Sequence, residues 1–251
     1  MKKIILALAL LASSMFANTI TVAVAANVSY AINELVAEFN KTNPDTKVQV
    51  TLGSSGKFTA QIESGAPFDV FMSADMKFPK SLFEKGLAIT EPALYAQGSL
   101  AMLSSKELDF SKGINLVTDA NIGKIAVANP KTAPYGTAAV EAMKNANVLD
   151  KVESKFVYAE SISQAVTYAT TAADVGFIAK SSLYDEKMAK YKENINWVSV
   201  DPSLYTAIDQ GIVVLKNTKE EASAKAFYDF ILGEKAKEIF IKFGYLVKWV
   251  K

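Results

Sequence analysis

The tract Gly53-Ser54-Ser55-Gly56-Lys57 sets two adjacent hydroxyls between glycines and ahead of a lysine. Three kinds of chemistry use such a tract. A nucleotide-binding loop requires G-x-x-x-x-G-K-[ST]; here two residues separate Gly53 from Gly56, and Phe58 stands where the magnesium-binding hydroxyl belongs. A serine–lysine acyl enzyme requires S-x-x-K, which Ser54 and Lys57 satisfy, but its S-D-N and K-T-G partners are missing, with Lys131-Thr132-Ala133 only a near approach. The third is a helix start that offers N–H groups and hydroxyls to an oxyanion, and it needs nothing the tract lacks.

The residues absent from the chain narrow the choice further. Among 251 residues there is no Cys, no His and no Arg. Without Cys and His, disulfides, thiolate nucleophiles, His-dependent triads and the usual zinc and copper ligand sets are excluded. Without Arg, no guanidinium fork grips a carboxylate or phosphate. A bound anion must therefore be held by backbone N–H groups, hydroxyls, amides or Lys. A site made only of donors also selects the protonation state of its guest. Monohydrogen phosphate carries a proton that needs an acceptor, whereas sulfate, molybdate and tungstate offer acceptor oxygens alone.

The formal net charge of +1 gives no reason to expect nucleic acid or an acidic membrane as partner. Half of the chain is hydrophobic, enough for one large core or two smaller ones. Residues 1–17 read as a secretory signal: Lys2 and Lys3 form the basic region, residues 4–12 the apolar run, and Ala17 the last position before cleavage, although Met15 is larger than usual two places before. The mature chain then starts near Asn18, and loss of the two lysines turns the net charge to −1. No later apolar run is long enough to span a bilayer, and no lipobox cysteine is present, so an exported soluble product is expected.

The elements that would position these residues alternate in type. Residues 19–26 (TITVAVAA) are a strand of the kind buried on both faces, and Ile32, Leu35, Val36 and Phe39 then mark one helix face. Strands at 48–52 and 69–73 follow, with helices at 58–64 and 78–85, each closed by a glycine. The pattern restarts with strands at 98–104, 124–128, 155–158 and 175–179 and helices at 136–145 and 161–171. A strand at 210–215 and helices near 218–231 and 234–243 close the chain. This order implies an α/β fold of two lobes, each a mostly parallel sheet flanked by helices, with a ligand in the cleft at the carboxyl ends of the strands. One larger doubly wound sheet is the alternative. The C-terminal helices are expected to return to the first lobe.

At the strand-to-helix junctions stand Asn27, Ser54 with Ser55, Tyr135 with Gly136, and residues 161–163 (SIS). Singly, such residues are ordinary helix caps. Together, in a chain without Arg or His, they are its best anion-holding chemistry.

The tracts TITVAVAANVSYAINELVAEFN, GSSGKFTAQIESGAPFDVFMSAD, ANPKTAPYGTAAVEAM and AFYDFILGEKAKEIFIKFGY resemble, in order, the periplasmic molybdate-binding proteins of ABC importers. The resemblance covers essentially the whole mature chain and is most specific in QIESGAPFDVFMSAD. It implies a type II periplasmic binding fold that closes on one tetrahedral oxyanion, no enzyme activity and no cofactor, and a membrane permease as partner; a monomer is expected because nothing in the sequence marks an oligomer interface. By position it implies that Ser55 donates its hydroxyl and N–H, Asn27 its side-chain amide or N–H, and Tyr135 and Ile162 a backbone N–H each. The ligand itself, molybdate or tungstate, would be the only metal centre, with no direct cation ligands. Some members bring a tyrosine hydroxyl to the ligand where this chain has Ala179. The expected lobes are 18–97 plus 207–251, and 98–206, with crossings at 92–98 and 202–207. Competing expectations are a receptor for another oxyanion such as sulfate, and a hydrolase acting through Ser54 and Lys57.

Overall fold

The structure, a computed structural model, describes residues 18–247. The expected signal at 1–17 lies outside the described residues. The chain runs β1 (Asn18–Ala25), α1 (Ile32–Asn40), β2 (Thr46–Gly53), α2 (Ser55–Glu63), β3 (Val70–Met72), α3 (Lys77–Glu84), β4 (Ala93–Gly98), β5 (Leu100–Leu103), β6 (Ile125–Ala128), α4 (Pro134–Asn145), α5 (Leu149–Val152), β7 (Phe156–Ala159), α6 (Ile162–Thr171), β8 (Val175–Ala179), β9 (Trp197–Ser199), β10 (Ile208–Val214), α7 (Glu221–Leu232) and α8 (Glu234–Lys242). Short 3-10 turns fill the connections, notably Ala26–Tyr30 after β1 and Lys180–Tyr184 after β8.

Two five-stranded sheets result, in the orders β2-β1-β3-β10-β4 and β7-β6-β8-β5-β9. In the first, β1 pairs in parallel with β2 and β3, while β10 runs antiparallel to both β3 and β4. In the second, β6 pairs in parallel with β7 and β8, while β5 runs antiparallel to β8 and β9. Each sheet is thus mixed, with four strands in one direction and one reversed. The reversed strands are those next to the crossings, where the chain enters a sheet from the other unit rather than through a βα connection.

The expected strand at 98–104 is cut in two. Gly98 pairs with Ile208 in the first sheet and Leu100 pairs with Ala179 in the second, so Ser99 is the step between them. Residues 93–97, expected to be connecting chain, form an edge strand, and the three-residue β9 escaped the periodicity reading because it is too short to show a period.

The two cores follow from the sequence pattern. Phe39 of α1 is fully buried against Phe227 of α7, with ring centroids 5.2 Å apart and planes at 84°. That packing brings the C-terminal helices back onto the first sheet, beside Val22, Val70 and Ile212. Truncating a buried aromatic such as Phe39 costs roughly 3–5 kcal/mol. The second core gathers Leu100, Ile125, Phe177, Ala139 and Met143 around the sheet of β5–β9.

Candidate functional site

Asn27, Ser55, Tyr135 and Ile162 line one small cavity, with about 200 Å³ of empty space, and Ala25, Ala26, Gly53, Ser54, Ala74, Ala133 and Pro134 complete its wall. The first two residues come from the unit of β1–β4 and β10, the last two from the unit of β5–β9. No Lys, Asp or Glu is among the lining residues.

Each lining residue is placed by the end of a strand. Ser54 is the N-cap of α2, with φ −84° and ψ 143°, and Ser55 is the first helical residue. The Ser55 Oγ accepts the Ala74 N–H at 2.9 Å, which leaves its single proton to donate elsewhere. Tyr135 follows Pro134 at the start of α4, where proline sets the first-turn backbone and removes one orphan donor. The helix starts unusually close to the end of β6: a Cβ on Gly136 would stand 2.0 Å from the Ala128 carbonyl oxygen, so only glycine fits. Ile162 opens α6 behind Ser161, whose Oγ accepts the Gln164 N–H at 3.3 Å, while Gln164 Oε1 accepts the Glu160 N–H at 2.6 Å. Ser55, Tyr135 and Ile162 therefore occupy the first turns of three helices, where the N–H groups have no partner within the helix and the dipole favours negative charge.

The side chains of Asn27 and Tyr135 point away from the simplest expectation. Asn27 is fully buried, and its Nδ2 donates to Gln210 Oε1 at 2.8 Å and to Tyr245 Oη at 3.1 Å. Its Oδ1 has no partner. The Tyr135 hydroxyl accepts from Gln210 Nε2 at 3.2 Å, behind the cavity rather than in it. Burial first, and then the neighbouring Tyr245 and Tyr95 hydroxyls, push its pKa well above the usual range, so the phenol stays neutral. Tyr95 and Tyr245 are raised for the same leading reason. Gln210, Tyr95 and Tyr245 thus form a polar shelf beneath the site. The sequence reading missed them; the one signal was a glutamine at the head of the otherwise apolar run QGIVVL.

Several bonds join the two units beside the cavity. The Gly56 N–H donates to the Thr132 carbonyl at 2.9 Å, and Ser181 Oγ donates to the Asn27 carbonyl at 3.1 Å. Lys57 Nζ meets Glu160 Oε1 at 2.5 Å, with both side chains largely exposed. That pair leaves Ser54 without a lysine base, and the Ser54 Oγ is buried with no partner. A nucleophile activated by Lys57 needs a bond that the structure spends on Glu160. Ala179 ends β8, is buried, and lies outside the cavity wall. Among the described residues no three acidic groups stand close enough to hold a cation.

The family described as bacterial extracellular solute-binding protein matches this chain over residues 20–246. The chain belongs to that family. Within it, the molybdate-binding protein ModA of Rhodobacter capsulatus is 39% identical over 235 residues, covering 92% of this chain and 90% of the relative. ModA of Azotobacter vinelandii is 36% identical over 239 residues, covering 94% and 93%. The solved structure of the Azotobacter vinelandii periplasmic molybdate-binding protein superposes with a TM-score of 0.84 at 31% identity, over 92% of this chain and all of that one. The two-lobe fold extends beyond such relatives: the sulfate-binding protein SubI of Mycobacterium tuberculosis matches with a TM-score of 0.74 at 14% identity, over 91% of this chain and 86% of that one. The family is one of solute binding, and proteins that share the fold carry names for different solutes, so the guest must be argued from the wall of the cavity.

Proposed function

We propose that this protein is an exported receptor that captures molybdate or tungstate and delivers it to the permease of an ABC importer. The observation that carries the reading is an uncharged cavity lined by three helix first turns and the Ser55 hydroxyl, drawn from both units. Such a wall offers donors and dipoles to a dianion and no base for a protonated one. ModA relatives at 36–39% identity over nearly their whole length support the choice of guest.

In this reading Ser55 gives its hydroxyl and N–H, Tyr135 and Ile162 give backbone N–H groups, and Asn27 gives its side-chain amide or its N–H. No cofactor and no catalytic residue takes part. The lobes are 18–97 with 207–251, and 98–206, and they close on the anion by a hinge at the two crossings. A guest that touches both lobes favours the closed state by its differential affinity, and the permease then reads the closed surface. Residues 1–17 carry the chain to the periplasm, where it works as a monomer. With Ala179 in place of a tyrosine hydroxyl, the ranking of molybdate against tungstate rests on the remaining donors alone.

Calorimetric titration with molybdate, tungstate and sulfate tests the reading. Tight binding of both metal oxyanions and weak binding of sulfate is the expected result. Sulfate binding more tightly than either would assign the protein to the smaller anion, and no heat with any of the three would refute oxyanion capture. A hydrolase would be revealed instead by covalent labelling of Ser54 with an acylating probe.

A further inference from the structure

Gln210 is a buried side-chain amide that touches two residues of the cavity wall, one from each unit: Asn27 at 2.8 Å and Tyr135 at 3.2 Å. It lies on β10 and is fully buried. In the orientation described, the hydrogen bonds do not balance. Gln210 Oε1 accepts from Asn27 Nδ2 and from Tyr95 Oη at 2.8 Å, although Tyr95 has one proton and also reaches the Ser73 carbonyl at 3.1 Å. Tyr135 Oη accepts from Gln210 but its own proton meets no acceptor, and Asn27 Oδ1 is buried without a donor. Two orphans on one network are costly, because a buried polar group without a partner loses its hydration and gains nothing in return.

Reversing both amides in place removes both orphans without moving a heavy-atom position. Gln210 Nε2 then donates to Asn27 Oδ1 and to Tyr95 Oη, while Tyr95 gives its proton to the Ser73 carbonyl. Tyr135 donates to Gln210 Oε1. Tyr245 Oη keeps its one proton on the Asn27 carbonyl at 2.7 Å, which the Ser181 hydroxyl also reaches at 3.1 Å, so Asn27 Oδ1, now 3.1 Å from Tyr245 Oη, takes its proton from Gln210 alone. The one atom left over is Asn27 Nδ2, a donor on a residue of the cavity wall, where an oxyanion needs one.

We propose that Gln210 and Asn27 form a coupled amide pair whose reversed orientation is the anion-binding one, with Gln210 as the positioning residue that turns Asn27 into a donor. This rests on the oxyanion reading above. Gln210 never touches the guest; by donating to Asn27 Oδ1 it forbids the orientation that would present an acceptor to a dianion. The same residue ties the wall of one unit to that of the other through Tyr135, so the donor is set only where both units contribute.

The test is a double-mutant cycle read by molybdate titration, together with the side-chain amide NMR signals of the ¹⁵N-labelled wild-type protein. An ionised carboxylate only accepts, so Gln210→Glu holds Asn27 Nδ2 toward itself and lowers molybdate affinity about 100-fold. In an Asn27→Ser background the donor is a hydroxyl that rotates freely, and the same Gln210→Glu change should cost less than about tenfold. In the wild type, saturating molybdate should shift the Asn27 Nδ2 protons and slow their exchange with water. Equal penalties in the two backgrounds would mean that the introduced carboxylate acts only by charge or by damage to the fold, and would overturn the proposal. So would Asn27 amide signals that do not move on saturation, a result that needs no variant to fold. A wild type that binds none of the three oxyanions sinks the functional reading as well, whereas binding with equal penalties sinks the amide pair alone.

Discussion

Replacing Gly56 by alanine should pry the two units apart. The new Cβ would stand 2.9 Å from the Thr132 Cα, 3.1 Å from its carbonyl oxygen and 3.0 Å from Phe78 Cζ. Carbon atoms rest at roughly 3.5–4.0 Å, so about 0.6 Å or more must be gained. Thr132 is backbone of the opposite unit, so the least costly relief is a small opening of the cleft. Opening stretches the Gly56 N–H to Thr132 carbonyl bond, now 2.9 Å, whose net worth is about 0.5–1.5 kcal/mol. If the contact is kept instead, overpacking costs about 1–3 kcal/mol. By one route or the other the closed state is penalised by about 0.5–3 kcal/mol, and molybdate affinity should fall by about 2- to 150-fold. Titration calorimetry measures the loss, stopped-flow fluorescence should place it in faster dissociation, and X-ray scattering of the loaded protein should show a larger radius of gyration. The thermal midpoint without anion should barely change, because the open form carries no clash. An affinity within twofold of wild type would refute the wedge, and so would an anion-free protein destabilised by as much as binding is weakened.

Ser55→Ala should weaken molybdate binding by about 1–3 kcal/mol, through loss of a donor and of the acceptor for the Ala74 N–H, and an unchanged dissociation constant would remove Ser55 from the site. Lys57→Ala should weaken binding by less than about 1 kcal/mol at low salt and by nothing measurable at 1 M salt, since the Lys57–Glu160 pair is exposed; a large salt-independent loss in titrations would show that the lysine holds the guest. Tyr30 is pushed up to about 12 by burial and then by Asp185, and Tyr95, Tyr135 and Tyr245 are also raised. Folded pKa values above the unfolded value of roughly 10 mean stability that is complete below pH 10 and lost as pH rises through the folded values, so urea midpoints should fall above pH 10, and the share of tyrosinate absorbance that belongs to these four buried tyrosines should appear only on unfolding.

Much of this was legible in the sequence because the relevant signals are local. VGFIA reads as a buried strand at the residues where β8 lies, and the helix starting at Ser161 is found with its cap and first residue in place. The four residues expected at the site meet around one cavity because each sits at a strand-to-helix junction, and junctions of one strand direction share one edge of a sheet. What the sequence hid was non-local. The break at Ser99 depends on which strand each flanking residue finds as partner, Ile208 on one side and Ala179 on the other. The reversed β5 and β10 carry no mark of direction, since a strand reads alike both ways. Gln210, Tyr95 and Tyr245 look like isolated polar residues until the fold brings positions 27, 95, 135, 210 and 245 together.

The placement of β10 also orders the birth of the molecule. It stands between β3 and β4, yet is made more than a hundred residues after either. A chain emerging from a ribosome or a translocation channel can finish the sheet of β5–β9 as soon as residue 199 is out, because all five of its strands are contiguous in sequence. The sheet begun first must wait with an interior strand missing and the edges of β3 and β4 unsealed, a period in which a chaperone that shields open strand edges has something to hold. The half synthesised last thus completes the half synthesised first, and a chain stopped short of residue 208 would leave one finished unit attached to one that cannot close.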